Sequence, residues 1–180
     1  SGNSANFVGG MNLYYSHPTL TNITISGNSA NYIGGGMSLD YSNPTLTHVT
    51  ISGNMGTFSG GGMILSGSNC TLTNSIIWDN SPESISLLSG TLLITYSDIE
   101  GGWEGEGNID ADPLFSDPEN GDYTLMEGSY CIDAGTADVD GDGIDDITDY
   151  VGSAPDMGAF EYSGSAGPSD ITVSYNTGWN

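Results

Sequence analysis

Three consecutive segments of this sequence share one pattern, and this repetition constrains the fold more than any other feature. They occupy 1–25, 26–51 and 52–77, so the period is 25 or 26 residues, and a shorter, diverged fourth unit occupies 78–99. Equivalent positions keep their chemical type, as in the series Met11/Met37/Met63, Leu13/Leu39/Leu65, Leu20/Leu46/Leu72 and Ile25/Ile51/Ile77. A repeat of this length indicates a unit that buries its apolar residues by stacking on its neighbours.

Within each unit, apolar and polar residues alternate, as in the segments MSLDY and LTHVTI. This alternation is typical of β-strands with one buried face, and Gly, Ser, Asn and Pro separate the strands. The sequence therefore predicts an all-β right-handed parallel β-helix of about four coils, with the handedness following from the general rule for parallel crossovers. Asparagine recurs at one position of the repeat and predicts an amide ladder between coils; its members are Asn3, Asn28, Asn54 and Asn80.

Two other architectures with similar signals fit less well. A leucine-rich repeat has a similar period, but its characteristic leucine pattern is missing here. A β-sandwich would not explain near-identical units. We divide the chain into β-helix coils over 1–99, an irregular C-terminal closing region over 100–162, and a Gly/Ser-rich linker with a terminal strand over 163–180.

The charge of the chain excludes two classes of partner. Its 180 residues include 23 acids and neither Lys nor Arg, which gives a formal net charge of −23. Without cations the surface cannot neutralise phosphates, so we expect no nucleic acid and no anionic lipid as partner. No apolar run is long enough to cross a membrane as a helix, so no membrane insertion is expected. Asp40 is the only acidic residue in 1–77, so all the other acids lie in 78–180 and make that part of the chain a polyanion.

Two segments after the repeats carry a family resemblance. They are NIDADPLFSDPENGDYTLMEGSYCIDAG at 108–135 and DMGAFEY at 156–162. Together with the repeats they resemble secreted right-handed parallel β-helix repeat proteins of bacteria, which include adhesin-like and polymorphic outer-membrane-type surface proteins. In those proteins such a series closes the solenoid ahead of a surface-anchoring or sorting region. The resemblance implies an extracellular or cell-surface location, and it identifies no activity.

The segment DVDGDGIDDITD at 138–149 carries six aspartates in twelve positions. Acids at positions 1, 3, 5, 9 and 12 of the segment, with glycine at position 6, match the spacing of a calcium-binding loop. The predicted Ca²⁺ ligands are the side chains of Asp138, Asp140, Asp142, Asp146 and Asp149 and the backbone carbonyl of Ile144. The Ile144 side chain is expected to pack inward. Because no helices flank the segment, it resembles isolated calcium loops of dockerin-type or thrombospondin-type repeats, with a structural ion. A solvated acidic insertion is the alternative.

A polysaccharide-active enzyme is a third hypothesis, because some parallel β-helices are carbohydrate-active. Lyases of that kind use Arg or Lys, which are absent here, and hydrolases need clustered carboxylates. Asp40 and Asp79 fall at different points of the repeat. His17 and His48 stand where neighbouring units have asparagine, so we interpret them as structural residues, at a turn and at an outward strand position. We therefore expect no enzymatic activity and no catalytic residue.

Several remaining residues leave alternatives open. A platform for stacking on sugar rings is possible, although packing at coil corners is the favoured explanation of its members, which are Tyr14, Tyr15, Tyr41, Trp78 and Trp103. Cys70 and Cys131 could form one disulfide in an oxidising compartment, and their spacing does not decide this. Asn22 and Asn69 each begin an N-glycosylation pattern.

The first unit starts directly on the repeat, so we expect an unpaired strand edge on the first coil. A strand predicted at 171–175 could add to that edge of a neighbouring molecule and give head-to-tail self-association into filaments. The alternative is that further coils precede residue 1 in a longer protein. The preferred function is an extracellular structural or adhesive β-solenoid stabilised by calcium, with binding of extracellular glycans or cell surfaces as the alternative.

Overall fold

The structure, a computed structural model, describes residues 1–164 as stacked coils that build three parallel sheets. The first sheet contains β1 (Ser4–Ala5), β4 (Ser29–Ala30) and β7 (Met55–Gly56). The second contains β2 (Met11–Tyr14), β5 (Met37–Asp40), β8 (Met63–Ser66) and β11 (Ile85–Leu87). The third contains β3 (Thr19–Ser26), β6 (Thr45–Ser52), β9 (Ser68–Thr73), β10 (Ile76–Trp78), β12 (Gly90–Thr95) and β13 (Asp98–Ile99). The predicted fold class, a parallel β-helix of about four coils, is confirmed.

Columns of like apolar residues fill the interior of the solenoid, as the repeat predicts. Met11 pairs with Met37, Met37 with Met63, and Met63 with Ile85. Parallel to this column run Leu20/Leu46/Leu72/Ile94 and Ile25/Ile51/Ile77/Ile99. Members in the middle coils are fully buried, whereas Met11 in the first coil is half-buried. Each fully buried side chain of this size contributes about 1.5–3 kcal/mol to the stability of the stack.

The predicted asparagine ladder is present at the turn after the third sheet. Asn3, Asn28 and Asn54 each donate a side-chain N–H to the Oδ1 atom of the next asparagine at 3.0 Å, and Asn80 ends the series. The same three residues also donate their backbone N–H to that oxygen, at 3.0–3.1 Å. The ladder satisfies buried amides that would otherwise lose hydrogen bonds to water, so it fixes the register between coils.

A pair of glycine columns lets neighbouring coils approach closely at the corner before the second sheet. A Cβ atom at Gly35 would lie 2.6 Å from the carbonyl oxygen of Gly61, and one at Gly36 would lie 2.5 Å from that of Gly62. These distances are shorter than any real Cβ contact, so no other residue fits at these positions.

The chain after β13 continues the stack for one partial coil. The backbone N–H of Ser97 donates to the Oδ1 atom of Asn108 at 3.1 Å, and that of Ile99 donates to the carbonyl of Ile109 at 3.0 Å. Trp103 packs against the apolar core at this end. Asn108 thus supplies an asparagine acceptor one coil beyond the repeats.

Residues 112–162 then lie along the outer surface of the third sheet. They include the antiparallel strands β14 (Phe115–Asp117) and β15 (Asp122–Leu125), joined by one turn of 3-10 helix (Pro118–Asn120). A second apolar cluster lies beneath them, formed by Ile76, Phe115, Tyr123, Leu125, Cys131 and Met157. The N–H of Gly158 donates to the carbonyl of Asn74 at 2.9 Å. The closing region is therefore attached to the side of the solenoid by both apolar and polar contacts.

The two cysteines lie in different apolar clusters and are both free thiols, so the possible disulfide between Cys70 and Cys131 does not form. Burial raises the pKa of Cys70 to about 12, which keeps that thiol protonated. Within 1–164, no helix has the length and apolar character needed to cross a bilayer. The strand predicted at 171–175 lies outside the described residues, so head-to-tail self-association stays a prediction.

Candidate metal centre

The aspartate loop is organised around the side chain of Asp138. Its Oδ1 atom accepts the backbone N–H groups of Gly141 at 2.7 Å and Asp142 at 3.1 Å, and its Oδ2 atom accepts that of Gly143 at 2.8 Å. Gly141 and Gly143 both have left-handed backbone conformations, with φ of 79° and 88°. Glycine adopts this conformation without a steric penalty, and the chain therefore curls around one carboxylate.

Asp146 closes the loop from its other end. Its Oδ2 atom accepts the N–H of Val139 at 2.9 Å, while its own N–H donates to the carbonyl of Ala137 at 2.8 Å. As a result, the carboxylates of Asp138, Asp140 and Asp146 converge, with one oxygen of each within 4.8 Å of the others. Among the described residues, no other group of three or more metal-ligating side chains meets this criterion.

The structure brings together three of the five predicted carboxylate ligands. Asp142 instead accepts the N–H of Ile144 at 2.8 Å through its Oδ1 atom. Asp149 is not among the converging carboxylates and lines a groove with His48 and Asp146. The prediction that the Ile144 side chain packs inward is wrong, because that side chain is 69% exposed. Ile144 belongs to neither apolar cluster of residues 1–164, so water surrounds most of its side chain.

The donor chemistry of this cluster fits a hard cation. Three carboxylates offer up to six oxygen atoms, and Ca²⁺ takes about six to eight oxygens in a flexible arrangement. Asp140 and Asp146 are exposed and Asp138 is half-buried, so water has access to the remaining coordination positions. Neither a cysteine nor a histidine belongs to the group, which argues against a soft transition metal.

A side-chain network connects this loop to the solenoid. The Nδ2 atom of Asn74 donates to the carbonyl of Thr136 at 2.8 Å, and the N–H of Thr136 donates to the Oδ1 atom of Asn74 at the same distance. Thr136 in turn donates its hydroxyl to the carbonyl of Asp138 at 3.0 Å. Asn74 thus forms a two-point contact with the segment that enters the loop, which positions the loop against the third sheet.

His48 completes this network and lies under the closing region. Its Nε2 atom is 3.1 Å from the Nδ2 atom of Asn74, whose orientation is fixed by Thr136. An amide nitrogen only donates, so Nε2 accepts and the ring is neutral. Burial lowers the pKa of His48, and the negative charge of Asp156 opposes that change. The predicted outward strand position is thus covered, and the side chain is only 8% exposed.

A groove of about 600 Å³ separates the loop from the outer face of the third sheet. Its floor carries threonine side chains from successive coils, among them Thr45, Thr71 and Thr95, with Leu93 beside them. Asp138 and Asp140 form part of the opposite wall. Two of the three converging carboxylates therefore face a cavity lined by hydroxyl groups.

The exposed aromatic residues form stacks that run from coil to coil. Tyr15 lies on Tyr41 with ring centroids 5.1 Å apart and planes 10° apart. Phe7, Tyr32 and Phe58 form a second stack, with centroid distances of 5.2 and 5.9 Å. Stacked rings use their faces on one another and present edges to solvent, whereas a sugar ring would need a free face. Packing at coil corners therefore accounts for these residues better than a sugar platform does.

The other sequence candidates have identifiable surroundings. The Nδ1 atom of His17 accepts the backbone N–H of Asn43 at 2.9 Å, which agrees with the predicted role of His17 at a turn. Trp78 and Trp103 pack against the two apolar clusters. The expectation that the protein is not an enzyme stays a prediction.

Sequence reasoning missed a set of acids that organise the closing region. Asp98 is fully buried and accepts the N–H of Ala111 at 3.1 Å and the thiol of Cys131 at 3.2 Å. Burial raises the pKa of Asp98 to about 6. Asp156 is equally buried and accepts the N–H of Asp133 at 2.7 Å. The amino-acid composition could have indicated this arrangement. A buried acid in a chain without Lys or Arg has to accept hydrogen bonds from backbone N–H groups.

Comparison with known proteins gives no match to this chain among protein-family models, curated sequences or solved structures.

Proposed function

We propose that this protein is an extracellular structural or adhesive β-solenoid whose acidic loop binds Ca²⁺ as a structural ion. One observation carries the proposal: the side chains of Asp138, Asp140 and Asp146 converge within 4.8 Å at a loop that is anchored to the solenoid. The resemblance to secreted bacterial surface proteins supports the location. In the millimolar calcium of extracellular fluids even a weak site is filled.

Electrostatics supports a role for the ion in stability. Like charges at such short separation repel one another, and no Lys or Arg exists in the chain to offset them. A divalent cation held between the three carboxylates removes that repulsion and links Asp138 at the start of the loop to Asp146 at its end. Because only the folded loop assembles the three ligands, Ca²⁺ stabilises the native state by mass action.

The proposal is tested by melting the full chain in EDTA and in millimolar Ca²⁺, together with calorimetric titration of Ca²⁺. Asp138→Asn removes one ligand charge and keeps one oxygen, which can still accept the N–H groups of Gly141 and Asp142 but not that of Gly143. Asp145→Asn is the matched control, because Asp145 is exposed in the same loop, lies outside the carboxylate group and makes the same change in net charge. We expect Ca²⁺ to raise the melting temperature of wild type and Asp145→Asn by several degrees, and to leave Asp138→Asn unchanged. If Ca²⁺ raised the melting temperatures of the two variants equally, the effect would be general charge screening, and the proposed site would be refuted.

Binding of extracellular glycans is the second candidate function. It is favoured by the groove in which threonine hydroxyls face Asp138 and Asp140, since sugars bind through arrays of hydroxyl and carboxylate groups. A screen of immobilised glycans, carried out in Ca²⁺ and again in EDTA, tests it. Bound glycans that are lost on Thr71→Val substitution support the groove as the site, and retention of binding places it elsewhere.

A further inference from the structure

A second groove lies between the β14–β15 hairpin and a corner of the solenoid, away from the aspartate loop. Two cavities of about 290 Å³ and 270 Å³ share Ser52, Asp79 and Pro118 and therefore form one depression. Trp78 and Asp112 line one end, and the other end is formed by Glu119 and Tyr123, among other residues. The depression is large enough for one extended side chain and its neighbouring peptide groups.

Ser52 lies on the floor of this groove. Ser52 is only 2% exposed and lines both cavities. Ile51 points into the solenoid core, so Ser52 points outward by strand alternation. Its hydroxyl makes no hydrogen bond to another residue in 1–164 and is not a buried unpaired group, so it is available to a ligand in the groove.

Carboxylates stand on both sides of the groove. Asp79 takes a left-handed conformation, with φ of 55°, where the two preceding coils have Gly27 and Gly53. A side chain therefore enters the groove where those coils have none. Within the described residues, the side chains of Asp79 and Glu119 accept no hydrogen bond, whereas most acids of the closing region do. The Oδ1 atom of Asp112 accepts the N–H of Leu114 at 2.9 Å, which leaves the second carboxylate oxygen available.

The remaining lining is apolar. Phe115, Leu114, Met126 and Pro118 contribute to it, and Trp78 packs partly buried beside them. An aliphatic stem fits against such a wall while its charged end reaches the carboxylates, which is how Lys and Arg side chains bury. A small hydrated cation alone would leave the apolar wall in contact with water.

We propose that this groove binds a cationic side chain, Lys or Arg, presented by a peptide segment of a partner protein. The ammonium or guanidinium group pairs with Asp79 and Glu119, and the Ser52 hydroxyl accepts one of its N–H groups. Charge complementarity favours this occupant over an uncharged sugar, because the groove holds three carboxylates and the chain holds no cation to neutralise them. The site is independent of the calcium loop, since the two share no residue.

The test is calorimetric titration of the full chain, in EDTA and at about 0.15 M salt, with a capped tetra-arginine peptide. A capped tetra-citrulline peptide, which has the same shape without charge, is the control probe. The double variant Asp79→Asn/Glu119→Gln is compared with Asp40→Asn/Glu104→Gln, which changes net charge equally at two acids outside the groove. We expect the groove variant to weaken tetra-arginine binding about tenfold or more and the control variant by less than about twofold.

Equal weakening by the two double variants would show diffuse attraction to a polyanion and overturn the proposal. So would equal binding of tetra-citrulline, or binding of cellohexaose in the groove without binding of tetra-arginine. Ser52→Ala, which keeps every charge, is expected to weaken tetra-arginine binding about threefold through loss of one hydrogen bond. Thermal melting in EDTA confirms that each variant is folded before its affinity is compared.

Discussion

Backbone N–H groups take the place of Lys and Arg as partners of the carboxylates in this chain. Asp133 accepts the N–H groups of Ser153 and Ala154, and the two oxygens of Glu161 accept those of Asp156 and Val151. Charge-assisted hydrogen bonds of this kind are about twice as strong as neutral ones. They give the closing region defined turns although little regular secondary structure is present there, and they make its stability sensitive to the protonation of a few buried groups.

The first residue-scale prediction concerns Asp98. Its folded pKa, about 6, lies above the ordinary value of 3.8, so its protonated form favours folding. The contribution is fully present below about pH 4 and is lost as the pH rises through about 6. Asp98→Asn removes the buried charge and keeps an oxygen for the N–H of Ala111. We expect this variant to be more stable than wild type at about pH 8, by about 1–3 kcal/mol, with little difference near pH 4.

Urea denaturation at the two pH values measures this difference. Asp40→Asn, which removes one carboxylate from the second sheet, is the control for the loss of one negative charge. A constant offset for Asp98→Asn would mean that Asp98 does not titrate in this range.

At the scale of the element, the coil was predictable because each of its positions recurs in several repeat units of the sequence. The methionine, leucine and isoleucine columns and the asparagine ladder follow from the period alone, since stacking places equivalent residues in contact. The burial of His48 could not be predicted from the period of the repeat. That residue faces outward as predicted, but it is covered by residues 146–149 and 158–161 of the closing region, which have no counterpart in the repeat.

The element-scale prediction compares two members of the asparagine ladder. Asn54 is 1% exposed, donates to Asn80 and Ile25, and accepts from Asn28. Asn54→Ala leaves these groups unpaired in the interior, so we expect a loss of about 2–4 kcal/mol in the free energy of unfolding. Asn3→Ala, at the exposed end of the same ladder, should lose less than about 1 kcal/mol. Chemical denaturation of the two variants measures the loss in the free energy of unfolding for each. Equal losses would show that burial of the ladder amides does not determine their contribution to stability.

At the scale of the whole molecule, the sequence identified the acidic loop but not the surface to which it is attached. The spacing of the acids around Gly143 predicted a calcium-binding loop with five carboxylate ligands, and three of these, Asp138, Asp140 and Asp146, converge. The contact between Thr136 and Asn74 joins residues 62 positions apart, and periodicity holds no information about it. The same limit explains the error at Ile144, because inward packing needs an apolar partner and Ile144 joins neither apolar cluster within 1–164.

The last prediction concerns the network that joins the closing region to the solenoid at low pH. Burial lowers the pKa of His48 below its ordinary 6.5, so the neutral ring favours folding above that value and the contribution is lost as the pH falls through the folded pKa. A protonated Nε2 would point its N–H at the amide nitrogen of Asn74, which cannot turn without losing both bonds to Thr136. The negative charge of Asp156 limits the loss, because it favours the charged ring. The other acids that line the same groove are Asp146, Asp149 and Glu161.

His48→Asn tests this mechanism with a residue that the solenoid already uses at Asn22 and Asn74, in the same left-handed conformation. We expect the wild-type free energy of unfolding to fall more than that of the variant between about pH 7 and pH 5, because only wild type carries the histidine whose pKa is lowered by burial. Amide exchange at Thr136, corrected for its intrinsic rate, should accelerate over the same range in wild type only, because its N–H bonds to Asn74. Asp98 is present in both proteins, so its opposite contribution cancels in the comparison. Parallel stability curves, or an unchanged rate at Thr136, would show that His48 does not control the attachment of the closing region.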